Sequence, residues 1–290
     1  MCIKNNKIPI IILGASGFVG SSLLNRFKNN KPFNTVGFTS EDIDLTNRKD
    51  FSILDSLIEK SIIVFTSSIM KDRDDSIDSL FKNIKMVLNL CDYIKNKKAK
   101  HIIYFSSAAI YGNCETTITE ETQFNPIDFY AKSKIVGEEL LKETCFEYNV
   151  SLTILRMGGI YGPNDTHTSP IQSFIESIYK NEPIKLYGDG SDLRDFVYIE
   201  DFSLITNEII TKDITGIYNI ASGKSFSILE ILLLLREITN KEIYIVYTKR
   251  TKPMINLVFD NSLFRKNFQN IELTNLKDGL IKTYKAYSKK

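Results

Sequence analysis

The chain has 290 residues, with 37 lysines and arginines against 35 aspartates and glutamates. This near balance excludes the electrostatic footprint of a nucleic-acid binder or of a protein held on an anionic membrane. At this length about three quarters of the unfolded surface can be buried, core enough for one large domain or two intimate ones without covalent staples.

Taken in order, the apolar run at 8–13 reads as a buried strand. The segment 18–28 reads as a helix with Val19, Leu23, Leu24 and Phe27 on its apolar side. Between them lies Gly14-Ala15-Ser16-Gly17-Phe18-Val19-Gly20, with glycines where strand becomes helix. A turn this tight needs residues without Cβ, and the helix start after it presents N–H groups and a positive dipole end to a pyrophosphate. Ser16 stands where the better-known dinucleotide fingerprint has its second glycine. The spacing alone also describes an ordinary glycine-rich turn. Its place in the first βα unit of an alternating chain is what favours a dinucleotide.

Further strands are expected at 34–38, 62–66, 101–106 and 151–155, with helices around 49–60, 76–96 and 129–148. The alternation predicts an α/β protein, a Rossmann-type doubly wound parallel sheet whose ligand lies beyond the carboxyl ends of the strands. After Arg156, glycines and prolines punctuate mixed segments, with helices expected at 201–211, 227–239 and 276–287 and a strand at 242–247. The expected organisation is a dinucleotide-binding domain over 1–157, to which a segment of about 193–222 returns. A smaller C-terminal substrate-binding lobe takes 158–192 and 223–290. Cys2, Cys91, Cys114 and Cys145 are spaced too irregularly for a zinc site or a redox pair. No apolar run is long enough for a signal segment or a membrane span, so a cytoplasmic protein with reduced thiols is expected. The lysines at 95, 97, 98 and 100 read as a solvated helix end.

Tyr130 and Lys134 sit four apart, and on a helix that spacing puts both side chains on one face. A free tyrosine titrates near pH 10, so about 0.1 % is phenolate at neutral pH, and a nearby ammonium favours the phenolate. The strand at 101–106 runs into Ser107-Ala108-Ala109-Ile110-Tyr111-Gly112 and delivers a hydroxyl at its carboxyl end. Ser107 and Tyr130 can then share a substrate oxygen. His101 begins a strand and reads as structural, Cys114 is given no catalytic role, and Asp201 reads as a charge at a helix N-terminus.

With these motifs the chain resembles the extended short-chain dehydrogenase/reductases, the NAD(P)-dependent epimerase/dehydratase group that remodels nucleotide sugars. Beyond the glycine turn, Ser107 and the Tyr130/Lys134 pair, the resemblance rests on Asp44-Leu45, Asn83, Arg156, Ile160-Tyr161-Gly162-Pro163, Leu186-Tyr187-Gly188-Asp189-Gly190, Arg194-Asp195-Phe196-Val197-Tyr198 and Tyr218-Asn219-Ile220. It implies that Tyr130 is the acid/base, that Lys134 binds the nicotinamide ribose and tunes Tyr130, and that Ser107 orients the sugar oxygen. It places the cofactor on Gly14, Ser16, Gly17, Phe18, Val19 and Gly20, on Thr39, on Asp44 and Leu45, and on Tyr130 and Lys134. Arg194, and more loosely Arg250, match arginines that hold the nucleotide diphosphate, a task suited to a planar fork of donors. For Arg194 the alternative is a structural ion pair with Asp195 or Asp201. Asn83 and Tyr161 are expected to support the fold, and the resemblance implies a homodimer packed through the helices that hold Asn83 and Tyr130.

Three departures narrow the function. The second strand ends in Gly37-Phe38-Thr39-Ser40, without the acidic ribose ligand of NAD-specific proteins. Hydroxyls there suit a 2′-phosphate and lean towards NADP over NAD, unless Glu41 or Asp42 fills the acidic role. Ala108 and Ala109 stand where the family's 4,6-dehydratases carry an acidic pair, which disfavours elimination. The cysteine of the 3,5-epimerase-reductases is likewise missing, so His167 reads as a loop residue or substrate contact. The expected activity is hydride transfer at a sugar carbon, C4 by preference. A 4-ketoreductase is slightly favoured over a 4-epimerase with tightly bound NAD, and a non-catalytic NADP-binding regulator is a third possibility.

Overall fold

The computed structural model describes residues 7–28, 32–97, 99–165, 169–250 and 254–289. His167 therefore lies outside the described residues, as do Cys2, Lys98 and the tripeptide after Arg250. The chain divides into two compact units, one formed by Met1–Ile110, Pro126–Arg156 and Phe202–Tyr218, the other by Tyr111–Asn125, Met157–Asp201 and Asn219–Lys290.

In the first unit, β1 (Ile8–Leu13) pairs in parallel with β2 (Phe33–Phe38) on one side and with β3 (Ile62–Phe65) on the other. β4 (His101–Ser107), β5 (Ser151–Met157) and the edge strand Gly216–Ile220 continue the six-stranded sheet beyond β3. All four residues of β3 are buried, as expected of a central strand covered on both faces. The order β2-β1-β3 reverses the direction of winding at β1, and in open sheets of this kind the ligand crevice opens at the carboxyl ends beside that reversal.

Helix α1 (Phe18–Lys28) follows the glycine turn directly. α2 (Ile77–Lys95) and α3 (Phe129–Glu147) pack against each other. Ser76 caps α2 by accepting from Ser79 N, and Asp128 caps α3 by accepting from Ala131 N at 2.7 Å. The helix expected at 49–60 is instead a 3₁₀ turn over Arg48–Leu54, started by Asn47. Asp50, Asp55 and Leu57 each donate to the carbonyl three residues earlier, which is the 3₁₀ pattern.

The second unit is built of strand pairs and helices. Gly159–Tyr161 pairs in parallel with Phe196–Tyr198, Ile184–Tyr187 with Ile245–Thr248, and Leu193–Arg194 runs antiparallel to Phe226–Ser227. The helix Ile228–Thr239 opens on a full capping box between Ser227 and Glu230 and buries Ile231, Leu232 and Leu235. The last helix is Leu276–Tyr287. Its Gly279 passes so close to Tyr161 that a Cβ there would meet the phenol oxygen at 1.9 Å.

Candidate active site

The turn after β1 is held by its own backbone: Gly14 N and Ala15 N both donate to Phe38 O, and Gly17 N donates to Gly14 O. Gly14 has φ +93°, and a Cβ on Gly20 would fall 2.1 Å from Gly14 O, so neither position accepts a side chain. Gly17 differs. A Cβ there meets only Gly14 O, at 3.3 Å, and Ser16 and Gly17 are exposed. The turn thus packs tightly on its protein side and stays open on the other, as a backbone cradle for a pyrophosphate at a helix start requires.

At the end of β2 the structure changes the meaning of Thr39. Asp42 turns back so that its Oδ2 accepts from both Thr39 N and Thr39 Oγ1, each at 2.8 Å. These bonds hold the Asp42 carboxyl below its ordinary range. The hydroxyl expected to receive a 2′-phosphate is therefore committed to a carboxylate, which repels a second anion. Asp44 is exposed, its Oδ1 accepting from Thr46 N and Thr46 Oγ1, while Leu45 is buried beside it.

Ser107, Tyr130 and Lys134 come together at the carboxyl end of β4. Tyr130 is the second residue of α3, its N–H held by Asp75 Oδ1 at 3.1 Å, and its phenol hydrogen-bonds Ser107 and Ser68. Lys134 is buried, donates to Phe105 O at 2.7 Å and lies 5.6 Å from the centre of the Tyr130 ring and 4.9 Å from that of Tyr104. Lys134 is not among the groups that set the shift of the Tyr130 phenol. Burial pushes Tyr130 up to about 12; the two serine hydroxyls oppose that rise, and Asp128 and Asp72 add to it. Burial also pushes Lys134 down to about 7, against the pull of Glu138.

Beneath this pair lies a buried polar layer. Glu138, one turn beyond Lys134, accepts from Ser106 Oγ at 2.5 Å and from Arg156 Nη2 at 2.8 Å. Asn83 clamps the loop after β3, accepting from Ile69 N at 2.7 Å and donating to Ile69 O at 3.0 Å, and so fixes the backbone next to Ser68. Ser68, Asp75 and Glu138 are the neighbours that motif reading missed. The first two sit on a loop with no periodic signal, and only the fold brings them to Tyr130.

In the second unit Arg194 and Arg250 share one carboxylate. Asp192 accepts from Arg250 Nη1 at 2.9 Å and from Nη2 at 2.6 Å, and Arg194 Nη2 stands 3.8 Å from its Oδ1. Burial pushes the Asp192 carboxyl up, but Arg250, the Ile255 N–H and Arg194 outweigh it and hold the group below its ordinary value. Arg194 also donates to Leu193 O and Ile255 O. Neither alternative partner expected for Arg194 is the one it takes: Asp195 accepts from Ser222 N and Gly223 N, and Asp201 from Thr274 N and Oγ1. Asp201 is thus a buried tie to the segment before the last helix as well as an acidic residue in a first turn. Among the described residues, no group of three His, Cys, Asp or Glu side chains has the arrangement of a metal site, and no helix is long and apolar enough to cross a membrane.

Residues 10–221 match the NAD dependent epimerase/dehydratase family. The chain belongs to that family. A Bacillus subtilis protein described as an uncharacterized UDP-glucose epimerase, YtcB, is 24% identical over 302 aligned residues that cover 94% of this chain and 96% of its own. A UDP-glucuronate 4-epimerase of Thermodesulfobacterium geofontis is 29% identical, over 69% of this chain and 63% of that protein. The structure of Bacillus cereus UDP-glucuronic acid 4-epimerase, solved with UDP-glucuronic acid and NAD, superposes with a TM-score of 0.85. That match covers 97% of this chain and 99% of the other at 22% identity, a likeness of fold. The epimerase/dehydratase family takes a nicotinamide dinucleotide, and the open face of the Gly14–Gly20 turn fits its pyrophosphate.

Proposed function

We propose that the chain is a nucleotide-sugar 4-epimerase that retains NAD. The observation that carries this reading is the Asp42 carboxylate at the end of β2, where a free Thr39 hydroxyl would have favoured NADP and with it a ketoreductase. Gly14, Ser16, Gly17, Phe18, Val19 and Gly20 hold the pyrophosphate, Thr39 and Asp42 border the adenine ribose, and Asp44 and Leu45 border the adenine. When bound, the dinucleotide supplies the hydride acceptor and, in its oxidised form, a positive ring charge. Ser107 would orient the sugar C4 oxygen, and Tyr130 would take its proton in the oxidative half and return it to the keto oxygen in the reductive half. A phenol near 12 is well protonated for the return half. Ser107 and Ser68, by donating to the phenolate, stabilise the form that the first half requires.

Arg194 and Arg250, prealigned on Asp192, hold the diphosphate of the substrate. The working form is a dimer through α2 and α3. A panel of UDP- and dTDP-sugars tests the function. Interconversion at C4 with no net consumption of NADH or NADPH is expected, whereas substrate-dependent oxidation of NADPH would overturn the reading. Tyr130→Phe should lower turnover by about 10²–10⁴ while NAD still binds.

A further inference from the structure

Glu138 serves neither the glycine turn nor the hydroxyl pair, yet three elements of the first unit converge on it. It is fully buried on α3. Arg156 of β5 donates to it from Nε at 3.1 and 3.2 Å and from Nη2 at 2.8 Å, and Ser106 of β4 from Oγ at 2.5 Å. A buried ion pair of this kind contributes little to stability compared with apolar residues of the same volume, so its presence asks for another task. The task is visible one helical turn away. Lys134 is also buried, and its contacts are a backbone carbonyl and two phenol rings, none of which bears a full negative charge. The neighbouring titratable groups are poor counter-ions: Tyr104 of β4, whose ring Lys134 lies over, and Cys91 of α2, which bears on Tyr104, are both driven towards their neutral forms by burial, and Asp72 and Asp128 act on Tyr130.

We propose that Glu138 is a positioning residue of the active site, the buried counter-charge that favours the ammonium form of Lys134, held at its post by Arg156 and Ser106. The inference rests on the role that the family resemblance implies for Lys134, at the nicotinamide ribose beside Tyr130, and it explains why one carboxylate serves two buried cations. The excess positive charge that results faces the Tyr130 phenol, where a phenolate would neutralise it. Burial alone drives Lys134 towards the neutral amine, and Glu138 is what opposes that drift. An amine in its place offers the cofactor ribose a weaker donor and gives a phenolate no support.

The test separates charge from shape. Glu138→Gln keeps the size and most hydrogen bonds but removes the charge; Glu138→Asp keeps the charge but loosens the packing. NMR titration of the lysine Cε signals in lysine-labelled protein, with Lys134 assigned by its loss in Lys134→Met, reports the protonation midpoint without any substrate. Glu138→Gln should lower the midpoint by about one pH unit or more, roughly a tenfold loss of ammonium above it, whereas Glu138→Asp should leave it near the wild-type value. The pH at which NAD affinity declines should move with the midpoint. If Glu138→Gln alone does not fold, Glu138→Gln with Arg156→Met removes both charges, and the same lowering is expected. An unchanged midpoint, or equal shifts in the Gln and Asp variants, overturns the proposal. Because the readout needs no sugar nucleotide, its failure is distinct from failure of the epimerase assignment, which the Tyr130→Phe experiment addresses.

Discussion

At the scale of single residues, two buried titratable groups have environments that make signed predictions. Tyr130 is raised to about 12 by burial and restrained by the hydroxyls of Ser107 and Ser68. Ser68→Ala removes a hydrogen bond to the phenolate, worth about 1.5 kcal/mol and hence about one pH unit. The pH at which the oxidative half-reaction becomes active should rise, and turnover at neutral pH should fall about tenfold. A pH–rate profile that superposes on the wild type would show that Ser68 is idle. His101, at the base of β4, bonds Thr153 Oγ1 through Nε2 at 2.8 Å. That hydroxyl donates onward to Ile214 O, so Nε2 carries the hydrogen. Nδ1 is then the basic atom, 3.6 Å from Asp213 Oδ1, and burial lowers the ring from its ordinary 6.5 to about 4. Because the folded pKa lies below the unfolded one, the unfolded chain takes up the proton first as pH falls. The contribution of His101 is intact above about pH 6.5 and is lost towards pH 4, by up to about 3 kcal/mol. Urea unfolding across this range should show a steeper acid loss in the wild type than in His101→Gln.

At the scale of elements, α3 positions Tyr130 only because it lies unusually close to β4. A Cβ on Gly137 would stand 2.6 Å from the Tyr104 phenol oxygen and 3.4 Å from Val87 Cγ2. Gly137→Ala gains about 1 kcal/mol of helix propensity but must displace α3 from the sheet, so a net loss of about 1–2 kcal/mol is expected. Since the displaced helix carries Tyr130 and Lys134, kcat should fall more than NAD affinity. A stabilised, fully active variant would show that the helix has slack. Which elements were legible follows from the same physics. β1, β4 and the last helix were readable nearly to the residue, because buried runs and 3.6-residue periodicity are written in apolar side chains. The connection after β2 reads as an α-helix because its buried Phe51, Leu54 and Ile58 stand three and four apart, a spacing that does not separate an α-helix from a 3₁₀ turn over so short a span. Polar partners were harder. Thr39 and Asp42 are three apart and form a local turn, whereas the sequence offered Asp42 only as an alternative acidic ligand for the ribose. Arg194 reaches Asp192, two residues earlier, and passes over the adjacent Asp195, which is tied to Ser222 and Gly223. Glu138 meets Arg156 and Ser106 only through the sheet order, which no local pattern encodes.

At the scale of the whole molecule, the outer face of α2 bears on the proposed dimer. Ile77, Phe81 and Leu88 are 54%, 61% and 38% exposed. With the partly covered Ile84 they follow the spacing i, i+4, i+7, i+11, a continuous seam of the kind that packs helix against helix. The inner residues of α2, among them Val87, Leu90 and Ile94, are already buried in the core of the first unit, so the seam is surplus to the fold. On the neighbouring α3, Val136 is 37% exposed and extends the apolar surface. A charge near the middle of such a seam would be desolvated without a counter-ion on association, a cost large enough to separate two copies. Light scattering should therefore give twice the 33.2 kDa chain mass for the wild type and a single chain mass for Phe81→Glu. The Phe81→Glu monomer should keep its fold, because Phe81 contributes little to the core, and its far-ultraviolet circular dichroism should match the wild type. A monomeric wild type at micromolar concentration would leave the α2 seam without the role assigned to it.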